Sequence, residues 1–371
     1  ANTLDQKIFE LTDNLSFDLN AKNRLTVGTH NEFFGFTNVF FPQSVGQWNF
    51  GTLDSLAQGL PYSYTRALTG AQAGIPGGRT DGPVSDFNVH QFGLYVQDQF
   101  TPTPNMTIQV GLRADDPTFP TKPAFNQQLS DSMGFNTSVF PSGNILWAPR
   151  VGFNYDAKGD GSFILRGGAG VFSGRPPYVW LSNAYGNTGK EQAQLTCTGA
   201  GLPAFNADTT QYTQCVGGGP LNQPKATINL FDKNFKFPQT FRVTLGADKK
   251  LPWGMVGSID LMYAMNYNTL YLNDANLAGV QGTLAGEGNR PVYGDPTLAS
   301  PVPIKATGGS NFNQVIVHTN QNKDYAYSGS VQIAKNFSDH VEFTAGYTYS
   351  RAYDLISQTS SIAASNLGFA T

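Results

Sequence analysis

Ionisable side chains are scarce in this chain, so their positions carry weight. Lys, Arg, Asp and Glu make up 13% of its 371 residues, about half the ~25% usual in soluble proteins. Arg113, Arg150, Arg166 and Arg242, with Asp248, Asp260 and Glu342, sit among small and polar residues in segments of two-residue period. Charges spaced this way can steer an anionic substrate along a polar wall. They can equally neutralise one another, since ion-pair networks are often purely structural. Other chemistries find less support. His30, His90, His318 and His340 are scattered, with no metal-binding spacing such as HExxH. No Ser/His/Asp set can be nominated, so the chain reads as a non-enzyme without cofactor or metal. Gly167-Gly168-Ala169-Gly170 has the glycine density of a phosphate loop, but no Lys-Ser/Thr follows and the context is a strand. Asp232 and Asp274 are loop acids of the type calcium uses, and neither belongs to a DxDxDG loop. Trp48, Tyr62, Tyr64, Tyr178 and Trp180 lie in loops, where they would either grip a peptide or glycan or pack on one another. The two cysteines, Cys197 and Cys215, share one loop. A disulfide closing it is the simplest reading and implies an oxidising compartment; two free thiols are the alternative.

The elements that must position these groups are strands. Asp324 to Arg351 (DYAYSGSVQIAKNFSDHVEFTAGYTYSR) shows the pattern best. Tyr325, Tyr327, Gly329, Val331 and Ile333 fall on one face, and Ser328, Ser330 and Gln332 on the other. After a polar break, Val341, Phe343, Ala345, Tyr347 and Tyr349 alternate with Glu342, Thr344, Gly346, Thr348 and Ser350. This is a hairpin with one apolar face, and each strand has the ~9–11 residues that cross a bilayer. Phe343 is read as lying near the midplane. Similar hairpins are read at 7–38, 86–113, 149–171 and 239–268, giving roughly ten strands. Pro102 and Pro104 are expected to stop one strand at Phe100. Short turns follow Leu19, Phe100, Asp156, Asp248 and Ala334, and long irregular connections alternate with them at 41–85, 115–143, 175–236 and 274–314. Short turns on one side and long loops on the other are the signature of an outer-membrane barrel. A soluble sandwich rarely carries four loops beyond ~12–15 residues. The expected fold is therefore all-β: an antiparallel transmembrane β-barrel in the outer membrane, touching lipid outside and a polar lumen inside. Arg113, Arg150, Arg166, Arg242, Asp260 and Glu342 would face that lumen.

A net charge of −3 gives no footprint for nucleic acid. No run of ~18 apolar residues suggests a spanning helix. The start, Ala1-Asn2-Thr3-Leu4-Asp5, has no basic or apolar leader, which is expected of a chain whose leader has been removed or of an internal piece.

Three segments, LYVQDQFTPTPNMTIQVGLR (Leu94 to Arg113), APRVGFNYDAKGDGSFILRGGAGVF (Ala148 to Phe172) and YSGSVQIAKNFSDHVEFTAGYTYSRAYD (Tyr327 to Asp354), together resemble the Oar-like branch of TonB-dependent outer-membrane receptors. The resemblance implies active uptake powered through a TonB-type complex, with a plug inside a barrel of ~22 strands. No plug and only about half of those strands are read in residues 1–371, so the expectation is part of a larger barrel, open between its first strand near Phe9 and its last near Tyr347. The rival expectation is a structural or adhesive outer-membrane barrel that transports nothing.

Overall fold

The computed structural model describes residues 2–174, 178–218, 223–286, 288–297, 303–338 and 341–369. In chain order the elements are β1 (Asn2–Asn20), β2 (Asn23–Phe40), β3 (Gln47–Asn49), α1 (Leu53–Ala57), β4 (Ser63–Thr69), β5 (Val84–Thr103), β6 (Met106–Thr118) and α2 (Gln127–Met133). Next come β7 (Leu146–Asp156), β8 (Phe163–Ser173), α3 (Tyr178–Gly186), β9 (Gln192–Thr198), β10 (Ala226–Phe231), β11 (Gln239–Leu251) and β12 (Met255–Tyr267). The chain continues through β13 (Thr269–Asp274), β14 (Gly282–Leu284), β15 (Arg290–Val292), β16 (Phe312–Gln321), β17 (Asp324–Ser338), β18 (Val341–Tyr353) and α4 (Ala363–Phe369).

Ten long strands form one antiparallel sheet in the order β1-β2-β5-β6-β7-β8-β11-β12-β17-β18. Among the described residues β1 and β18 are its two ends and do not pair with each other. Register fixes which residues share a face, because side chains alternate along each strand. One row runs Met106, Tyr155, Leu165, Ala247, Ile259, Val331, Tyr347. Two of its aliphatic members are well exposed, Ile259 at 52% and Val331 at 50%. A row of large apolar side chains left bare on a sheet face fits lipid rather than water. The neighbouring row runs Thr107, Asn154, Arg166, Gly246, Asp260, Ser330, Thr348 and is polar throughout. Tyr325 stacks on Tyr353 (4.8 Å between centroids) at the loop end of the apolar face. Trp253 and Phe337 are exposed at the opposite, short-turn end, so aromatic residues flank the band on both sides.

The short turns have local causes. At the β7–β8 turn the Asp156 carboxylate accepts the backbone N–H groups of Gly159 (3.0 Å) and Gly161 (2.6 Å), and both glycines adopt positive φ. The β5–β6 turn is tighter than the prolines suggested: β5 runs on through Pro102 to Thr103, and an irregularity between Phe100 and Thr103 takes up the lost donor. Phe343 lies two residues inside β18 and opposite Lys335, close to the short turn. Val331, mid-strand in β17, is the better midplane residue.

Above the membrane band the long connections are ordered, which corrects their reading as irregular. They build a mixed sheet β10-β16-β13, a sheet β3-β4-β9 and the short helices α1, α2 and α3, with α4 added from the segment after β18. The main core joins this roof to the barrel wall. Phe34 and Phe36 of β2 and Phe87 and Val89 of β5 pack against Tyr178, Leu181, Ala184 and Tyr185 of α3. At their loop ends, then, β2 and β5 turn an apolar face inward to the roof, while Asp86, Asn88 and Thr37 lie on the opposite face.

A second core lies under β3-β4-β9, where Tyr64, Leu68 and Leu195 surround a disulfide between Cys197 and Cys215, whose Cα atoms are 5.4 Å apart. Closing a loop of this size stabilises by about 3 kcal/mol in the chain-entropy model. Replacing both cysteines with serine is therefore expected to lower the stability of this subdomain by that amount. A denaturation midpoint that does not move on reduction would contradict it.

His318, on β16, is buried at 1% exposure, stacks on Phe231 at 4.5 Å and places Nδ1 3.1 Å from the Leu230 carbonyl. Burial pushes its pKa down to about 4, with the carbonyl hydrogen bond opposing. The unfolded chain protonates this imidazole below about 6.5, whereas the folded domain resists until about 4. Stability is thus complete above the unfolded value and falls as the pH drops from 6.5 towards 4, by on the order of 3 kcal/mol. Buried Glu191 acts in the opposite sense: desolvation raises its pKa despite hydrogen bonds from Thr188, so it favours the fold as pH falls. The expected result is a roof that denatures more readily at pH 4.5 than at pH 7, with the difference shrinking in His318→Gln. Identical pH dependence in the variant would refute the assignment.

Candidate functional site

The polar face of the sheet collects the charged residues singled out above, and it divides them into two groups. Arg166 on β8 is held by two carboxylates, Asp248 on the adjacent β11 (2.9 Å) and Asp260 on β12, one strand further (2.6 Å). Gly246 lies between Arg166 and Asp260, and a Cβ there would meet both side chains at 2.7 Å, so glycine is what lets the pair close. Arg113 binds Asp115 two residues on, at 2.7 Å, and Asp115 also accepts from the Ser173 hydroxyl at 3.0 Å. These arginines brace the wall. Arg150 and Arg242 differ. They share a row with only Gly170 between them, and among the described residues neither pairs with a carboxylate. Arg150 lies over the Phe172 ring at 5.9 Å, beside Gln97, Gln109 and Thr244. Two adjacent cations without counter-charges make a positive patch on the mid-wall. Glu342 is exposed opposite Asn336, far from both groups.

One constellation was missed by reading histidine spacing alone. Glu10 on β1 pairs in register with Glu32 on β2, and His30 lies two residues from Glu32 on the same face. The imidazole is 3.6 Å from each carboxylate, and Thr12 Oγ1 is 2.8 Å from its Nδ1. The three ligand atoms lie within 4.8 Å of one another. This mixed nitrogen and oxygen set would suit a first-row divalent cation; it also serves as an imidazole clamped between two acids across the first hairpin. The signal available in sequence was His-x-Glu in one strand facing Glu in the next. His90 sits on the apolar face against Phe33 (5.4 Å), His318 is core, and His340 lies outside the described residues.

The loop acids are turn formers: Asp274 accepts from the backbone N–H groups of Asn276 (3.0 Å) and Val315 (2.9 Å), and Asp232 from that of Asn234 (2.7 Å). The loop aromatics mostly pack on one another. Tyr64 and Tyr178 are buried, and Trp48 lies 4.5 Å from Tyr64; Tyr62 alone of the five is well exposed. Where the loop ends of β1 and β2 meet α3, β9, β10 and α4, a cavity of about 470 Å3 opens between wall and roof.

An exposed apolar band, a charged opposite face and an ordered roof over one rim are features of a protein that spans the outer membrane as a barrel. Residues 1–370 match the family described as an outer membrane beta barrel domain, and the chain belongs to that family. Its place is the outer membrane. Among solved structures it is similar to the siderophore receptor PirA from Pseudomonas aeruginosa, at 13% identity over 97% of this chain and 47% of that one, TM-score 0.47. It is also similar to the outer membrane transporter YddB from Escherichia coli (10% identity, 94% and 34% covered, TM-score 0.49). The FrpB iron transporter from Neisseria meningitidis gives 9% identity, 95% and 36% covered, and a TM-score of 0.47. The chain thus spans between a third and a half of the length of these structures. No curated protein matches it.

Proposed function

We propose that the chain is the strand-and-roof portion of a TonB-dependent transporter of the Oar-like branch, working with an internal plug and a TonB-type energising partner. The observation that carries this reading is the roof itself. Tyr64, Tyr178 and Tyr185 are buried within the roof, not displayed for contact, and the roof packs directly onto β2 and β5. Such a roof is suited to holding a substrate above a polar wall on which Arg150 and Arg242 leave charge unspent.

One feature favours the adhesive alternative: around α1, Leu53 (84% exposed), Leu60 (61%) and Tyr62 (61%) form an apolar tip. Photo-crosslinking residues at Gln97 and Gln332, both on the polar face, separate the two in the full-length protein in its own membrane. A transporter is expected to cross-link to a plug within the same polypeptide. Absence of any internal cross-link, together with surface attachment lost on deleting residues 50–62, would establish the alternative.

A further inference from the structure

We infer that the cavity between wall and roof binds an uncharged, hydroxyl-rich ligand, an oligosaccharide, with Asn229 as its deepest contact. As the substrate class of a transporter it rests on the reading above; as a binding site it stands on the following geometry. At about 470 Å3 the cavity falls in the range of small-molecule sites, ~300–1,000 Å3. Among the described residues its lining holds five asparagines and three glutamines, a single cation, Lys225, and no carboxylate. An anion would call for clustered arginine or lysine, and a cation for acids or an aromatic cage. A carboxamide offers an acceptor oxygen and two donor hydrogens side by side, which matches hydroxyls that both donate and accept. Phe40, Pro42 and Pro83 add apolar surface for the C–H faces of a sugar ring.

The amides are held in place before any ligand arrives. Asn183 donates to the Ser361 carbonyl at 2.7 Å and accepts from the Ala363 N–H at 3.3 Å. Gln192 donates to Asn187 Oδ1 at 2.8 Å, and Gln194 to Gln43 Oε1 at 2.9 Å. Asn229 stands apart from this network. It is 2% exposed, lines the cavity, and its side-chain oxygen, buried with the rest of the residue, has no hydrogen-bond partner among the described residues. Alternation along β10 explains the placement: Ile228 and Leu230 enter the core behind the strand, while Thr227 and Asn229 face the cavity. An unpartnered buried carbonyl is costly, and a leucine would fold better there. A rotation of the carboxamide towards the cavity would let a ligand hydroxyl supply the missing donor.

The test uses the full-length protein in detergent, titrated calorimetrically with maltotriose, cellotriose and N,N′,N″-triacetylchitotriose. A glucuronate-containing trisaccharide and an uncharged tripeptide amide form the comparison arms. At least one neutral trisaccharide is expected to bind. Asn229→Leu is expected to weaken it at least tenfold while leaving the melting temperature equal or higher, and Asn229→Asp, which keeps the shape, to weaken it as well. Failure of every neutral trisaccharide, binding confined to the acidic sugar or the peptide, or full affinity in both variants would each overturn the proposal. Saccharide binding without a plug cross-link would remove the transport reading and leave the site standing; a plug cross-link without saccharide binding would do the reverse.

Discussion

Phe87→Ala is expected to cost the extracellular roof about 3–5 kcal/mol, the range for removing a buried aromatic ring from a packed core. Phe87 is 1% exposed, stacks face to face on Tyr185 of α3 at 4.4 Å, and lies 5.3 Å from Phe36 on the adjacent strand. It joins the barrel wall to α3. Phe92, on the same strand but on the apolar outer face, is 42% exposed. Alanine there removes a ring that lipid can replace. Hydrogen exchange at α3 and β10 measures the difference: Phe87→Ala should release protection there while Phe92→Ala leaves it in place. Equal protection in the two variants would mean that the roof does not depend on its dock to the wall.

The second large effect separates the two faces of one strand. Val331 and Gln332 are neighbours on β17, one in the apolar row with Ile259 and Tyr347, the other in the polar row with Ser258 and Gly346. Arginine at a lipid-facing midplane position costs ~2–4 kcal/mol, because the charge must be hydrated or snorkel to the interface. Val331→Arg should therefore lower the folding free energy into lipid vesicles by that amount. Gln332→Arg puts the same charge on the wall that already carries Arg166, and its cost should stay below about 1 kcal/mol. Urea titration of folding into vesicles compares the two directly; the reverse ranking would turn the sheet inside out.

The strands of the barrel were legible because each obeys one rule over many residues. In Met106 to Leu112 or Asp324 to Arg351, lipid on one side and polar lumen on the other force strict alternation. The rule fails at the loop end of β2. Phe33, Phe34 and Phe36 crowd together there because Phe33 meets Phe9 and Phe92 on the outer face while Phe34 and Phe36 carry the roof on the inner one. With phenylalanines on both faces, period two carries no direction over residues 33–36. The roof was illegible for a different reason. Its strands are three to ten residues long, and two of them, β10 and β16, pair in parallel although 80 residues separate their ends. No local pattern announces such a pairing. Of the polar-wall residues, sequence alone gave the face but not the division of labour. That Arg166 is clamped while Arg150 and Arg242 meet no carboxylate among the described residues depends on register between strands far apart in the chain. The same holds for Glu10, His30 and Glu32, brought together by the register of a single hairpin.

The orientation of β12 and β17 tests the central claim most directly. Single cysteines at positions 258, 259, 260, 261, 330, 331, 332 and 333, in the full-length protein in its membrane, can be labelled with a nitroxide and probed with oxygen, which partitions into lipid, and with a water-soluble nickel chelate. The register predicts that 259, 261, 331 and 333 respond to oxygen and are shielded from the chelate, while 258, 260, 330 and 332 are not lipid-exposed. Alternation that is absent, or equal access of the chelate to both sets, would contradict a transmembrane barrel wall.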